Sequence, residues 1–141
     1  MTDEATEILS ILAVLARLAQ AADDRDVAGY AECLAPRIRG ASEDTSDAER
    51  YASAAIERVS AMDWTHHKLL NPVLSISGDR ASARIDLVVD MARTDACGIV
   101  HYATMGGRYD LDFVRMGEQW RIERRVLHRR YVLGDTDLVC A

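Results

Sequence analysis

Hydrophobic positions recur in the first sixty residues with the period of a helix. Ile8, Ile11, Leu12, Leu15, Leu18, Ala19 and Ala22 fall three and four residues apart, which predicts one long amphipathic helix. Thr2 is placed to cap it, with Asp3 and Glu4 in a first turn that favours negative charge. Val27, Tyr30, Ala31 and Leu34 predict a second, short helix that stops before Pro36, because the residue ahead of a proline avoids the helical region. The polar run Arg37–Asp47, RIRGASEDTSD, reads as a loop. Ser46 with Glu49 forms a capping-box pattern, which opens a third helix bearing Tyr51, Ala52, Ala55, Ile56, Val59 and Met62 on one side.

After Asp63 the period changes to two. Leu70, Leu74 and Ile76 begin a strand, and SGDR at Ser77–Arg80 is a turn. Ala81, Ala83, Ile85, Leu87, Val89 and Met91 then alternate with a mostly polar set, the clearest strand in the chain. Tyr109, Leu111 and Phe113 alternate with Asp110, Asp112 and Val114, MGEQ turns, and WRIERRVLHRRYVL runs out as a last strand. Three helices followed by about four antiparallel strands predict an α+β fold, with helices packed on one face of a curved antiparallel sheet. The 141 residues suit a single domain, residues 1–141, and 49% hydrophobic residues suffice for one core.

Charge narrows the partners. Lys plus Arg number 17 against 23 Asp plus Glu, a net charge of −6. This gives no positive excess for nucleic acid or for an anionic membrane surface. No apolar run is read as approaching the roughly 20 residues that span a bilayer, and MTDEATEILS lacks the basic start of a secretory signal. Cys33, Cys97 and Cys140 are odd in number and widely spaced, so free thiols in a reducing cytoplasm are expected.

Two of the four histidines, His66 and His67, are adjacent in DWTHHKLLN. Neighbouring strand side chains point to opposite faces, so one ring at most faces inward, and a metal pair is disfavoured. No metal or cofactor is expected. The acidic cluster Asp23, Asp24 and Asp26 stands near a helix end, where capping alone is a sufficient role for any of them. The last strand carries Arg121, Glu123, Arg124, Arg125, His128, Arg129 and Arg130. Most suit a solvated face paired with Asp110 and Asp112. Arg124 shares the alternation of Trp120, Ile122 and Val126, so Arg124 or His128 is expected to hold an anionic or carbonyl group of a ligand. His101 is expected at the surface.

Three segments in order, ADDRDVAGYAECLAP, THHKLLNPVLSISGDRASA and GGRYDLDFVRMGEQWRIERR, resemble the SnoaL-like families of the nuclear-transport-factor-2-like superfamily over nearly the whole chain. Relatives of scytalone dehydratase, polyketide cyclases and ketosteroid isomerase belong there. The resemblance implies a cone in which helices close a strongly bent sheet around an apolar pocket. It implies an aspartate in a D-x-x-D pattern at the end of the first helix, matched by Asp23 with Asp26 as the second acid. It also implies a histidine four residues ahead of Asn or Gly, matched by His67 and Asn71. Such a pair acts as orienter and general base: the carboxylate fixes the imidazole tautomer and stabilises the imidazolium. Relatives place Tyr or Lys where this chain has Leu18, which leaves the proton donor unassigned, with Tyr30 and Tyr51 as available phenols. A lyase or isomerase acting on a small, mostly apolar ring compound is the expectation. A non-catalytic ligand-binding or structural subunit, like the β chain of ring-hydroxylating dioxygenases, is the alternative. A homodimer or homotrimer is expected, and Val88 on the otherwise polar face allows sheets to pack face to face.

Overall fold

The computed structural model describes residues 3–139. Thr2, the expected cap, and Cys140 lie outside them. Asp3 caps α1 (Glu4–Asp23) instead, its carboxylate accepting the Thr6 N–H at 2.7 Å. By length and composition α1 is apolar enough to cross a bilayer, with a mean hydropathy of 1.5 over its best window, contrary to the expectation that no run is. Here it is a core helix: Ile11, Val14, Leu15 and Leu18 are buried against the sheet. Burying each such side chain contributes about 1.5–3 kcal/mol.

At the end of α1 the chain turns through Arg25, whose φ of 58° is left-handed. Asp26 then caps α2 (Val27–Glu32), accepting the Gly29 N–H at 2.9 Å. The helix ends two residues before Leu34, which opens β1 (Leu34–Arg39). β1 and β2 (Thr45–Asp47) occupy the segment expected as a loop. Pattern did not reveal them because β1 is held by a tertiary partner: it pairs parallel to the last strand and buries only Leu34, Ala35 and Ile38. Asp47, not Ser46, caps α3 (Ala48–Ser60), accepting the Arg50 N–H at 2.8 Å.

Four long strands follow: β3 (Trp64–Ser77), β4 (Arg80–Thr94), β5 (Val100–Met116) and β6 (Gln119–Gly134). A 3-10 turn, Thr136–Leu138, closes the described chain. The curved sheet has six strands in the order β2-β1-β6-β5-β4-β3, with α1, α2 and α3 packed on it in an α+β cone. Its inner face carries Ile85, Leu87, Leu111, Phe113, Trp120 and Ile122, all essentially fully buried with the α1 stripe.

Three irregularities shape the four long strands. β3 shifts register between Leu70 and Val73, where Asn71 adopts a left-handed φ of 55° and donates to Asp86 at 2.9 Å. β6 gains one residue twice against β5, opposite Asp112/Phe113 and opposite Gly106/Gly107. At the second of these a Cβ on Gly107 would lie 2.5 Å from the His128 carbonyl oxygen, so the close approach of backbones requires glycine.

Candidate active site

Asp23 ends α1 and His67 lies near the start of β3, 44 residues later. Sheet alternation turns Thr65, His67 and Leu69 toward the helices and leaves His66 exposed. His67 Nδ1 lies 2.6 Å from Asp23 Oδ1. The same carboxylate accepts the His67 backbone N–H at 3.0 and 3.1 Å and the Thr65 hydroxyl at 3.0 Å. Thr65 in turn accepts from Arg25 Nη1 at 2.8 Å, and Arg25 also donates to the Ala22 carbonyl at 3.0 Å. The left-handed residue after the helix thus reaches across to the strand and fixes the carboxylate from behind. Asp26 caps α2; Asp23 is bound to the sheet.

This arrangement sets the chemistry of the ring. Asp23 accepts a hydrogen bond from Nδ1–H, so Nε2 of the neutral ring holds the free lone pair. Burial lowers the His67 pKa below its ordinary value, against the opposing hydrogen bond and charge of Asp23, and the charge of Arg125 lowers it further. The ring is therefore neutral at neutral pH and able to accept a proton.

His67 forms one wall of a cavity of about 270 Å³ that extends between the sheet and α3. Tyr30, Tyr109, Arg125, Met105 and Leu127 line it as well, and Leu138 and Val139 border it from the chain's C-terminal segment. A narrow extension under α1 reaches Leu18 and Leu69. Arg125 sits among phenols. Its Nε donates to Tyr51 at 2.9 Å, and its Nη1 donates to Tyr30 and, at 3.3 Å, to Tyr109. The guanidinium also stacks 5.2 Å from the Tyr51 ring centre and 5.0 Å from that of Tyr109. Burial pushes the Tyr30 phenol far above its ordinary pKa, so it stays protonated, although Arg125 pulls the other way.

Of the residues proposed from sequence to hold a ligand, Tyr30 lines the cavity and Tyr51 stands behind Arg125 as its acceptor. Arg124 and His128 require correction. Both lie on the outer face: Arg124 pairs with Asp112 at 3.8 Å, and His128 Nε2 lies 2.9 Å from Asp110. The cause is the extra residue of β6. Asp112 faces Arg124 and Phe113 faces Ile122, so Glu123 has no register partner on β5 and the alternation begun by Trp120 and Ile122 passes to Arg125. His101 is also more engaged than a surface residue, with its two ring nitrogens each 2.8 Å from Asp95 and Asp135. Arg25, Thr65, Tyr109 and Arg125 were not anticipated. Tyr109 was legible, as a polar-tipped residue on the inward alternation with Leu111 and Phe113. Among the described residues no three His, Cys, Asp or Glu side chains converge as they would to hold a metal ion.

The sequence profile of the SnoaL-like domain matches residues 3–126. The chain belongs to the SnoaL-like domain family. No curated protein sequence is significantly similar to it. Solved structures share the fold of this SnoaL-like domain at low identity. The Kfla4162 protein from Kribbella flavida is similar at 21% identity and a TM-score of 0.87, over 99% of this chain and 100% of that one. A putative scytalone dehydratase from Novosphingobium aromaticivorans is 16% identical, with a TM-score of 0.76 over 91% of this chain and 87% of its own. The hexachlorocyclohexane dehydrochlorinase LinA-type3 from Novosphingobium barchaimii is 13% identical, with a TM-score of 0.74 over 92% and 90%. At these identities the SnoaL-like domain shares their architecture; activity has to be argued from its own residues.

Proposed function

We propose that this SnoaL-like domain is a cofactor-independent lyase or isomerase acting on a small, mostly apolar ring compound, with His67 as general base and Asp23 as its orienter. The observation that carries the reading is the Asp23–His67 bond of 2.6 Å, which commits Nδ1 and leaves Nε2 as the basic nitrogen of a ring on the cavity wall. In an elimination, a substrate C–H proton passes to Nε2 and its electron pair becomes the new double bond as the leaving group departs. The imidazolium is stabilised by Asp23, and such positioned proton transfer contributes about 10²–10⁴-fold in rate. The proton donor missing at Leu18 has two candidates in Tyr30 and Tyr109. Each accepts a bond from Arg125, so each keeps its own O–H to donate to a departing hydroxyl or an enolate. In an isomerisation, His67 returns the proton to a different carbon of the same ring. Two neighbours in fold are named for eliminations, a dehydratase and a dehydrochlorinase, which agrees with this class.

The test is a turnover screen of cyclic ketones, alcohols and halides, followed by mass spectrometry, on wild type and His67→Gln. The expected result is turnover that falls at least about 100-fold in the variant while ligand binding persists. Unchanged turnover in His67→Gln overturns the assignment. Tight binding of ring compounds with no turnover by wild type would instead support a non-catalytic binding module.

A further inference from the structure

The wall beside His67 is rich in donors and poor in acceptors. Arg125 is half-buried, and among the described residues no carboxylate pairs with it: its partners are the oxygens of Tyr30, Tyr51 and Tyr109. Those bonds use the phenols as acceptors, so the protons of Tyr30 and Tyr109 remain to be donated within the cavity they line. Nη2 of the same guanidinium has no partner among the described residues. Asp23, the acid bonded to His67, is already committed to His67 and Thr65. Neutral phenols solvate a cation without neutralising it, so this half-buried charge has no counter-charge among the described residues. With Nε and Nη1 spent on the phenols, the two N–H donors of Nη2 are left to receive an anion.

We propose that the ligand of this cavity is a ring carboxylate, its carboxylate received by Arg125 and the hydroxyls of Tyr30 and Tyr109. This deepens the functional reading, since it rests on the same cavity and names the class of compound that enters it. The apolar remainder of the ligand packs on Met105 and Leu127, and the ring is presented to His67. Arg125 is then a specificity determinant: a neutral ring of the same shape loses the ion pair and leaves the cation uncompensated.

Calorimetric titration with matched probes tests this without any turnover. 2-Naphthoate, 2-naphthamide and 2-naphthylmethylammonium share one ring frame and differ in charge. Wild type is expected to bind the carboxylate at least about tenfold more tightly than the amide, and the ammonium most weakly. In Arg125→Met, the preference of carboxylate over amide is expected to vanish. Equal or tighter binding of the amide, or a carboxylate preference that survives in Arg125→Met, overturns the proposal. So does failure of wild type to bind the carboxylate at about 1 mM. The wild-type ranking stands as a test on its own if Arg125→Met does not fold. The two readings fail separately: selective naphthoate binding without turnover of any ring carboxylate refutes the catalytic role of His67 alone. His67-dependent turnover of neutral rings without carboxylate preference refutes the ligand class alone.

Discussion

Replacing Asp23 by asparagine separates a structural carboxylate from a helix-end aspartate of no consequence. Asp23 accepts from three donors: the Thr65 hydroxyl, the His67 backbone N–H, and the His67 Nδ1–H. Its side chain is 17% exposed, so little solvent is available to take over. An asparagine keeps one oxygen, and its NH₂ group meets one of these donors head-on. An unmatched buried donor costs about 1–3 kcal/mol, and loss of charge assistance removes roughly 1 kcal/mol more from the remaining bonds. The expected destabilisation is about 3 kcal/mol, or a midpoint lower by about 10 °C in a chain of this size. A surface aspartate would change stability by less than about 0.5 kcal/mol. The loss is read by urea unfolding at pH 7.5. Nitrogen NMR of the His67 ring supplies a second reading: the Nδ1–H tautomer of wild type gives way to Nε2–H if the new amide donates to Nδ1, and the pKa falls further without the carboxylate. A loss below about 0.5 kcal/mol with the Nδ1–H tautomer intact would refute the claim that Asp23 orients the ring.

The lowered His67 pKa predicts a rate that is flat at neutral pH and falls only below the ordinary histidine value of 6.5. The same group contributes stability that is complete above 6.5 and lost as pH falls through the lowered folded value; proton NMR titration of wild type and His67→Gln measures both. Glu7 is buried on α1, where it accepts from Trp120 Nε1 and Arg115, so Glu7→Ala is expected to cost about 3 kcal/mol in urea unfolding. His101 has its pKa raised by hydrogen bonds first to Asp95 and then to Asp135, because both ring nitrogens donate only when protonated. Its hold on the segment leading to Leu138 is present below 6.5 and lost as pH rises through the raised folded value. Amide exchange in residues 135–138 should therefore quicken over that rise in wild type and show no such step in His101→Gln. Gly107→Ala forces a methyl group against the His128 carbonyl and should cost at least about 2 kcal/mol, or abolish soluble expression.

The helices and the four long strands were legible because each carries an amphipathic face wide enough to show its own period. β1 and β2 were not: the sheet partner of β1 lies more than eighty residues away, only Leu34, Ala35 and Ile38 mark its buried side, and β2, which pairs with β1 alone, has no buried residue. The helix caps shifted by one residue, to Asp3 and Asp47, because serine, threonine and aspartate are near-equivalent caps and local geometry selects among them. Asp23 and His67 entered through the resemblance: strand alternation said only that His66 and His67 face opposite sides, and the spacing to Asn71 selected His67. That same reasoning misplaced the arginine: alternation extrapolated from Trp120 and Ile122 selects Arg124, and a one-residue bulge reverses every side chain beyond it. Nothing local to RIERRV announces the bulge, which is fixed by pairing with β5. Asn71, matched by spacing to a family position, holds the bend in β3 and points to Asp86 rather than to the cavity.

Glu123, which has no register partner on β5, has a consequence for reading this chain's evolutionary kin. A strand with one residue more than its neighbour can be equated column by column with an unbulged strand only if a gap opens at that residue. Without the gap, Arg124, which faces outward to Asp112, would be set against the cavity-facing position of a relative, and Arg125 against an outward one. A comparison made on residue columns would then find the guanidinium missing where it is present. A comparison made on spatial superposition would recover it one position later.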